Sequence, residues 1–254
     1  MPWRIERANI LRYGIEAFPD SQALVGEFFN DRLIAIREYE SVRPEQAAAQ
    51  FRETIGQLND VLSRLDNKAA ILTLRIKIEK ADQKFRRRFQ KNKLPGSPAP
   101  ELDQIKWLNQ LSDNSTDHEI PTILYFFDWG AEHATDSLVQ IQRQLDQSKA
   151  VSANLIAVVP DFGLDFDWLD TFDRKDKLQP KPKEAFAANI QKNLEHKFNF
   201  QFPFGISTQP VQLADKFGIT DTPFAVIISK SGVVTDVFSG KTVAADISDC
   251  LQNK

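Results

Sequence analysis

Apolar and polar positions fall into two regimes along this chain. From Phe51 onward the residues Phe51, Ile55, Leu58, Leu62, Leu65, Ala69, Leu72 and Ile76 recur in steps of four and three. That spacing is a heptad seam, and a seam implies a helix facing another helix. A second seam, Ile71, Leu74, Ile78, Ala81 and Phe85, lies on a shifted face. Together they predict either one long helix sandwiched between partners or a helical hairpin broken near Asp66-Asn67. Upstream, Asp20 or Ser21 caps a helix running to about Glu40, with Leu24, Phe28, Leu33 and Ile36 apolar, and Pro44 suits the first turn of the next helix. The stretch Leu72 to Ile78 also alternates with period two, but the Ala, Lys and Glu around it favour helix.

The regime changes after Leu94-Pro-Gly-Ser-Pro-Ala-Pro100. Prolines this dense cannot continue a helix, so a boundary is placed there. Residues 1–94 are read as a helical region and 95–118 as a Pro-rich linker with a short helix around Ile105, Trp107, Leu108 and Leu111. Residues 119–254 carry short apolar runs alternating with helical spacings. Strands are predicted over 122–127, 154–159, 200–206, 224–228 and 233–238. Helices are predicted over 132–146, 183–197, 211–217 and 242–251. The run Asn154-Leu-Ile-Ala-Val-Val159 has the continuous apolar character of a buried parallel strand. Gly218 closes a helix, and Ser229-Lys-Ser-Gly232 is a hairpin loop.

Two segments stand out: Thr122-Ile-Leu-Tyr-Phe-Phe-Asp-Trp129 and Gly218-Ile-Thr-Asp-Thr-Pro-Phe-Ala-Val-Ile-Ile228. With the order of elements between and after them, they resemble the thioredoxin-like families, most closely the TlpA and peroxiredoxin branch, over about residues 119–254. The resemblance implies an α/β thioredoxin-like domain preceded by an all-α, coiled-coil-prone N-terminal region. It implies that Pro223 is a cis-proline facing the site, with the Thr222 backbone open to an extended peptide. In that branch a Cys-x-x-Cys pair follows the tryptophan. Here Trp129 is followed by Gly130, Ala131, Glu132 and His133, so both sulfurs are missing. Glycine offers no nucleophile, and imidazole cannot replace a thiol in disulfide exchange. The expectation is a domain without oxidoreductase or peroxidase activity at that position, and no catalytic residue is assigned.

Other features bear on binding. The stretch 161–173 sets five aspartates among three phenylalanines and a tryptophan. It reads as a docking loop, with Phe162, Phe166 and Trp168 as anchors and Asp165 and Asp167 on the rim, or as an insertion folded onto its own domain. Its spacing is not that of a calcium loop. Residues 84–93 carry six positive charges, including Arg86, Arg87 and Arg88. They suit either a helix C-terminus or an anionic partner. Leu58 and Leu62 on the seam are further partner candidates. His118, His133 and His196 show no metal-ligand spacing, so no metal and no cofactor is expected. His133 with Asp128, Glu132 and Asp136 nearby leaves a non-redox enzyme open.

Composition narrows the classes. The 254 residues carry a net charge of -3, which gives no global pull toward nucleic acid. Cys250 is the single cysteine, placed by its helical surroundings on an inner face, so no disulfide can form within one chain. No run is long and apolar enough to span a bilayer, and residues 1–30 show no signal-like core, so a cytoplasmic protein is expected. The expected function is a redox-inactive adaptor, scaffold or assembly factor that binds protein partners in a larger complex. A second copy of the chain is one candidate partner. A polyanion-binding module through 84–93 is the remaining alternative.

Overall fold

The computed structural model describes residues 2–18, 21–40, 42–64, 68–108, 120–128, 134–147, 153–160 and 202–252. The chain divides into two compact units, Met1–Phe89 and Gln90–Lys254.

The first unit is helical. Its elements are α1 (Pro2–Ala17), α2 (Gln22–Glu40), α3 (Pro44–Leu62) and α4 (Lys68–Lys93), whose last turn belongs to the second unit. Ser21 precedes α2, and its Oγ accepts from the Leu24 amide at 3.5 Å. Pro44 sits at the first turn of α3, where its missing N–H costs nothing. α3 ends at Leu62 and α4 starts at Lys68, so the first seam is divided between them, Phe51 to Leu62 on α3 and Ala69, Leu72 and Ile76 on α4, while the second seam lies on α4. Leu72 to Ile78 is helical.

Two apolar clusters hold the unit. One joins Leu11 and Ile15 of α1, Val25, Phe28 and Phe29 of α2, Leu58 and Leu62 of α3, and Leu74 and Ile78 of α4. The other joins Ile36, Ala47, Ala48, Phe51 and Phe85, with the Phe51 and Phe85 rings stacked at 4.3 Å and 4°. The partner helices of the α3 seam are therefore α1, α2 and α4 of this chain.

The second unit is an α/β sandwich around a sheet of six strands in the order β1-β4-β3-β2-β5-β6. The strands are β1 (Ile105–Trp107), β2 (Thr122–Phe126), β3 (Asn154–Val159), β4 (Phe204–Ser207), β5 (Phe224–Ile228) and β6 (Val234–Ser239). β2, β3 and β4 run parallel, while β5 pairs antiparallel to β2 and β6 antiparallel to β5. α5 (Ala134–Gln147), α6 (Pro210–Phe217) and α7 (Val243–Gln252) cover the faces. Side chains of the central strands alternate between two cores. Ile123, Tyr125, Leu155 and Ala157 face Leu138 and Ile141 of α5 and Val243 and Ile247 of α7. Leu124, Phe126, Ile156 and Val158 face Leu213 and Phe217 of α6. Burial on both faces explains why these strands read as unbroken apolar runs. Gly218 ends α6 at φ +66°, a left-handed cap that favours glycine.

One segment departs from the sequence expectation. Residues 105–107, expected in a short helix, form edge strand β1, antiparallel to β4. Nor is the Pro-rich stretch a free linker. The Gly96 and Ala99 amides donate to Val234 and Gly232 carbonyls, and the Val234 amide donates to the Ser97 carbonyl. At the other sheet edge the Thr208 amide donates to the Gln104 carbonyl. Leu94, Ala99, Leu102 and Ile105 pack into the α6-side core between these anchors. The stretch is thus a strap crossing one face of the sheet. Prolines prevent helix there, while the open edge of β4 has backbone groups to satisfy. Leu111, and the helix expected over 183–197, lie outside the described residues.

Candidate functional site

The candidate site is the sheet end where β2 finishes and β5 begins. The antiparallel register sets Phe126 opposite Phe224. Residues just past β2 therefore share an edge with those just before β5. Phe127 is buried, its amide donating to the Val158 carbonyl at 3.2 Å, and Asp128 is exposed. On the β5 side, the Thr222–Pro223 peptide is cis. Thr222 and Pro223 are half-buried, and the Pro223 carbonyl accepts from the Gly240 amide at 2.9 Å. Asp221 is exposed, with one carboxylate oxygen accepting from the Thr220 hydroxyl at 3.0 Å.

Lys91 completes this end from the last turn of α4. Its Nζ donates to Ser239 Oγ and stands 5.7 Å from the centre of the Phe224 ring. Burial holds its ammonium below the ordinary lysine value, with the Asp221 carboxylate opposing that shift. Sequence reading placed Lys91 only within a basic run. Proximity to Ser239, 148 positions further along the chain, has no local signature.

Beneath the edge, Tyr125 is fully buried. Burial pushes its phenol up to about 12, against a smaller opposing effect from a hydrogen bond with Ser137 of α5. A phenol held protonated in this way is no base at neutral pH.

The other predicted residues scatter. Trp129, Gly130, Ala131, Glu132 and His133 lie outside the described residues, as do His118 and His196. So does the acidic stretch, with Phe162, Asp165, Phe166, Asp167 and Trp168. Leu58 and Leu62 are 0% and 7% exposed within the helical unit, which makes them core residues. Of the basic run, Arg86 pairs with Asp82 at 2.8 Å one turn back. Arg87 is buried, and Arg88 grips both carboxylate oxygens of Glu40 at 2.7 and 2.8 Å. Much of this charge is engaged inside the protein. Cys250 is half-buried on α7, its thiol donating to Asp236 Oδ2 at 3.4 Å. Among the described residues no group of three or more His, Cys, Asp or Glu is placed to hold a metal, and no helix is long and apolar enough to cross a membrane.

A β-α-β unit leading into an antiparallel hairpin and a closing helix, with a cis-proline at the hairpin's first strand, is the thioredoxin-like arrangement. The second unit has it. No protein-family model matches the chain, and no curated protein matches it. Solved structures do resemble it. One is the N-terminal domain of PilB from Neisseria gonorrhoeae, at 21% identity, 59% of this chain, 87% of that one and a TM-score of 0.42. Another is a thiol-disulfide isomerase from Corynebacterium glutamicum, at 16% identity, 62% of this chain, 97% of that one and a TM-score of 0.40. A third is StoA from Bacillus subtilis, at 16% identity, 52% of this chain, 81% of that one and a TM-score of 0.34. Likeness at this level transfers no activity to the chain.

Proposed function

We propose that the protein is a redox-inactive thioredoxin-like adaptor or assembly factor that binds protein partners within a larger complex. The observation that supports this is where the sulfur is. Dithiol exchange within one chain needs two sulfurs, an attacking thiolate and a resolving one. This chain has one, Cys250, on the closing helix, its thiol donating a hydrogen bond to Asp236. The residues after β2 where a Cys-x-x-Cys would stand are Gly130, Ala131, Glu132 and His133. A partner strand is read as adding at Thr222, where main-chain pairing supplies affinity and neighbouring side chains supply selectivity. The acidic and aromatic stretch 161–173 is read as a second contact, with Phe162, Phe166 and Trp168 as anchors.

The test is an affinity capture from the native source read by mass spectrometry, with light scattering on the purified protein. The expected result is one or two stoichiometric partners, lost when Asp165 and Asp167 are reversed in charge, with disulfide reduction of a model substrate at background rate. A partnerless monomer, or measurable disulfide turnover, overturns the reading.

A further inference from the structure

We propose that the outer ridge of α4, built on Leu72 and Ile76, docks an acidic amphipathic helix of a partner protein. α4 is apolar on two sides. Leu74 and Ile78 belong to one core cluster of the helical unit and Phe85 to the other. Leu72 lies two residues before Leu74, about 200° around the helix axis, so it faces the opposite way. Ile76 stands one turn beyond Leu72 on the same outer ridge, and both side chains are exposed. A helix that buries one apolar stripe and shows a second is built to be packed on both sides, and among the described residues nothing of its own unit covers the second.

Spacing and charge together define the partner. Leu72 and Ile76 continue, through Ala69, the four-and-three seam that starts at Phe51. Anchors at that spacing are how one helix receives another. Of the four charged residues exposed between 72 and 80, Arg75, Lys77 and Lys80 are basic and only Glu79 is acidic. Arg75 and Lys80 fall at the flanking positions of the seam, where charge selects the partner, so carboxylates on the incoming helix are favoured. A second copy of the chain is disfavoured, because a two-fold contact at this ridge sets basic residues against basic residues. An anionic lipid surface is disfavoured by Glu79, three residues after Ile76 on the same ridge. This surface gives the adaptor proposed above a helical partner, and to that extent it rests on that reading.

The probe is a synthetic helix of about three heptads, with Leu at its a and d positions and Glu at e and g, titrated against the full-length chain by fluorescence anisotropy. The controls carry Lys at e and g, or the same residues in scrambled order. The Glu helix is expected to bind at least about tenfold tighter than either control. Leu72→Gln with Ile76→Gln, neutral replacements that suit a helix, should weaken it at least about tenfold with the circular dichroism unchanged. Arg75→Glu with Lys80→Glu should turn the preference toward the Lys helix. Equal binding of all three helices, or Glu-helix binding that survives Leu72→Gln with Ile76→Gln, overturns the proposal. So does either competing occupant, each read by its loss in that same double variant: a dimer in light scattering, or binding to phosphatidylserine vesicles that phosphatidylcholine vesicles do not share. Capture from the native source separates this site from the adaptor reading. Stoichiometric partners retained by the double variant, with the Glu helix unbound, sink the helix site and leave the adaptor standing. Glu-helix binding by a chain that captures no partner does the reverse.

Discussion

At the residue scale, burial makes ordinary side chains behave in ways their sequence does not announce. Tyr125 is one case. Its phenol is pushed up to about 12 from 10.0, so the unfolded chain gives up that proton first. The Tyr125 contribution is fully present below the unfolded value and is lost as pH rises through the folded one. Stability to urea should fall across about pH 10 to 12, and Tyr125→Phe should flatten that fall. An unchanged slope in the variant would show that the phenol titrates normally. Lys91 has the opposite sign: its folded value is lowered, so stability gains as pH rises from that value toward 10.5. Gly205 is a case of space rather than charge. A Cβ there would come within 2.2 Å of Ile105 Cγ2 and 3.0 Å of Trp107 Cε3. Gly205→Ala should destabilise by about 1–3 kcal/mol in urea unfolding and weaken protection of the β1 amides. A variant as stable as the parent would mean that β1 is not packed there.

At the element scale, α4 shows what periodicity can and cannot decide. Two stripes on α4 are legible as helix-facing, Leu72 and Ile76 at the end of the first seam and Leu74 and Ile78 of the second. Only one is used within the helical unit: Leu74 and Ile78 are 8% and 7% exposed, while Leu72 and Ile76 are 61% and 44% exposed. Leu74→Ala and Ile78→Ala should each cost about 2–4 kcal/mol, while Leu72→Lys and Ile76→Lys should stay within about 0.5 kcal/mol. Equal costs from both pairs would refute this choice of face. The Arg88–Glu40 pair is also an inter-helix tie, two-pronged and partly buried. Glu40→Ala should cost about 1–3 kcal/mol, measurable by thermal unfolding and smaller in high salt. β1 was missed for a different reason. A three-residue strand has no period to detect, and its cause is the open edge of β4 far along the chain.

At the scale of the whole molecule, the chain carries two units with separate cores. The sequence set its boundary in the Pro-rich stretch; the division falls between Phe89 and Gln90, inside α4. Proline density reads as a break in helix, and here it marks the strap that crosses the sheet. Separate cores give a prediction. Leu58→Ala should cost about 3 kcal/mol and speed amide exchange within residues 1–89, with protection of β2 and β3 unchanged. Loss of protection in both units alike would mean that they unfold as one.

By itself the sequence determined the helical first half, the order of β2 to α7, the antiparallel hairpin after Pro223 and the lack of a second sulfur. Each of these rests on local periodicity, local turn chemistry or a residue count. Only the tertiary structure decided which α4 stripe is buried, that 105–107 pair as a strand, that Leu58 and Leu62 are core residues, and that Lys91 meets Ser239, Phe224 and Asp221. These are outcomes of long-range contact and of exclusion from water. Neither is encoded in the spacing of neighbouring residues.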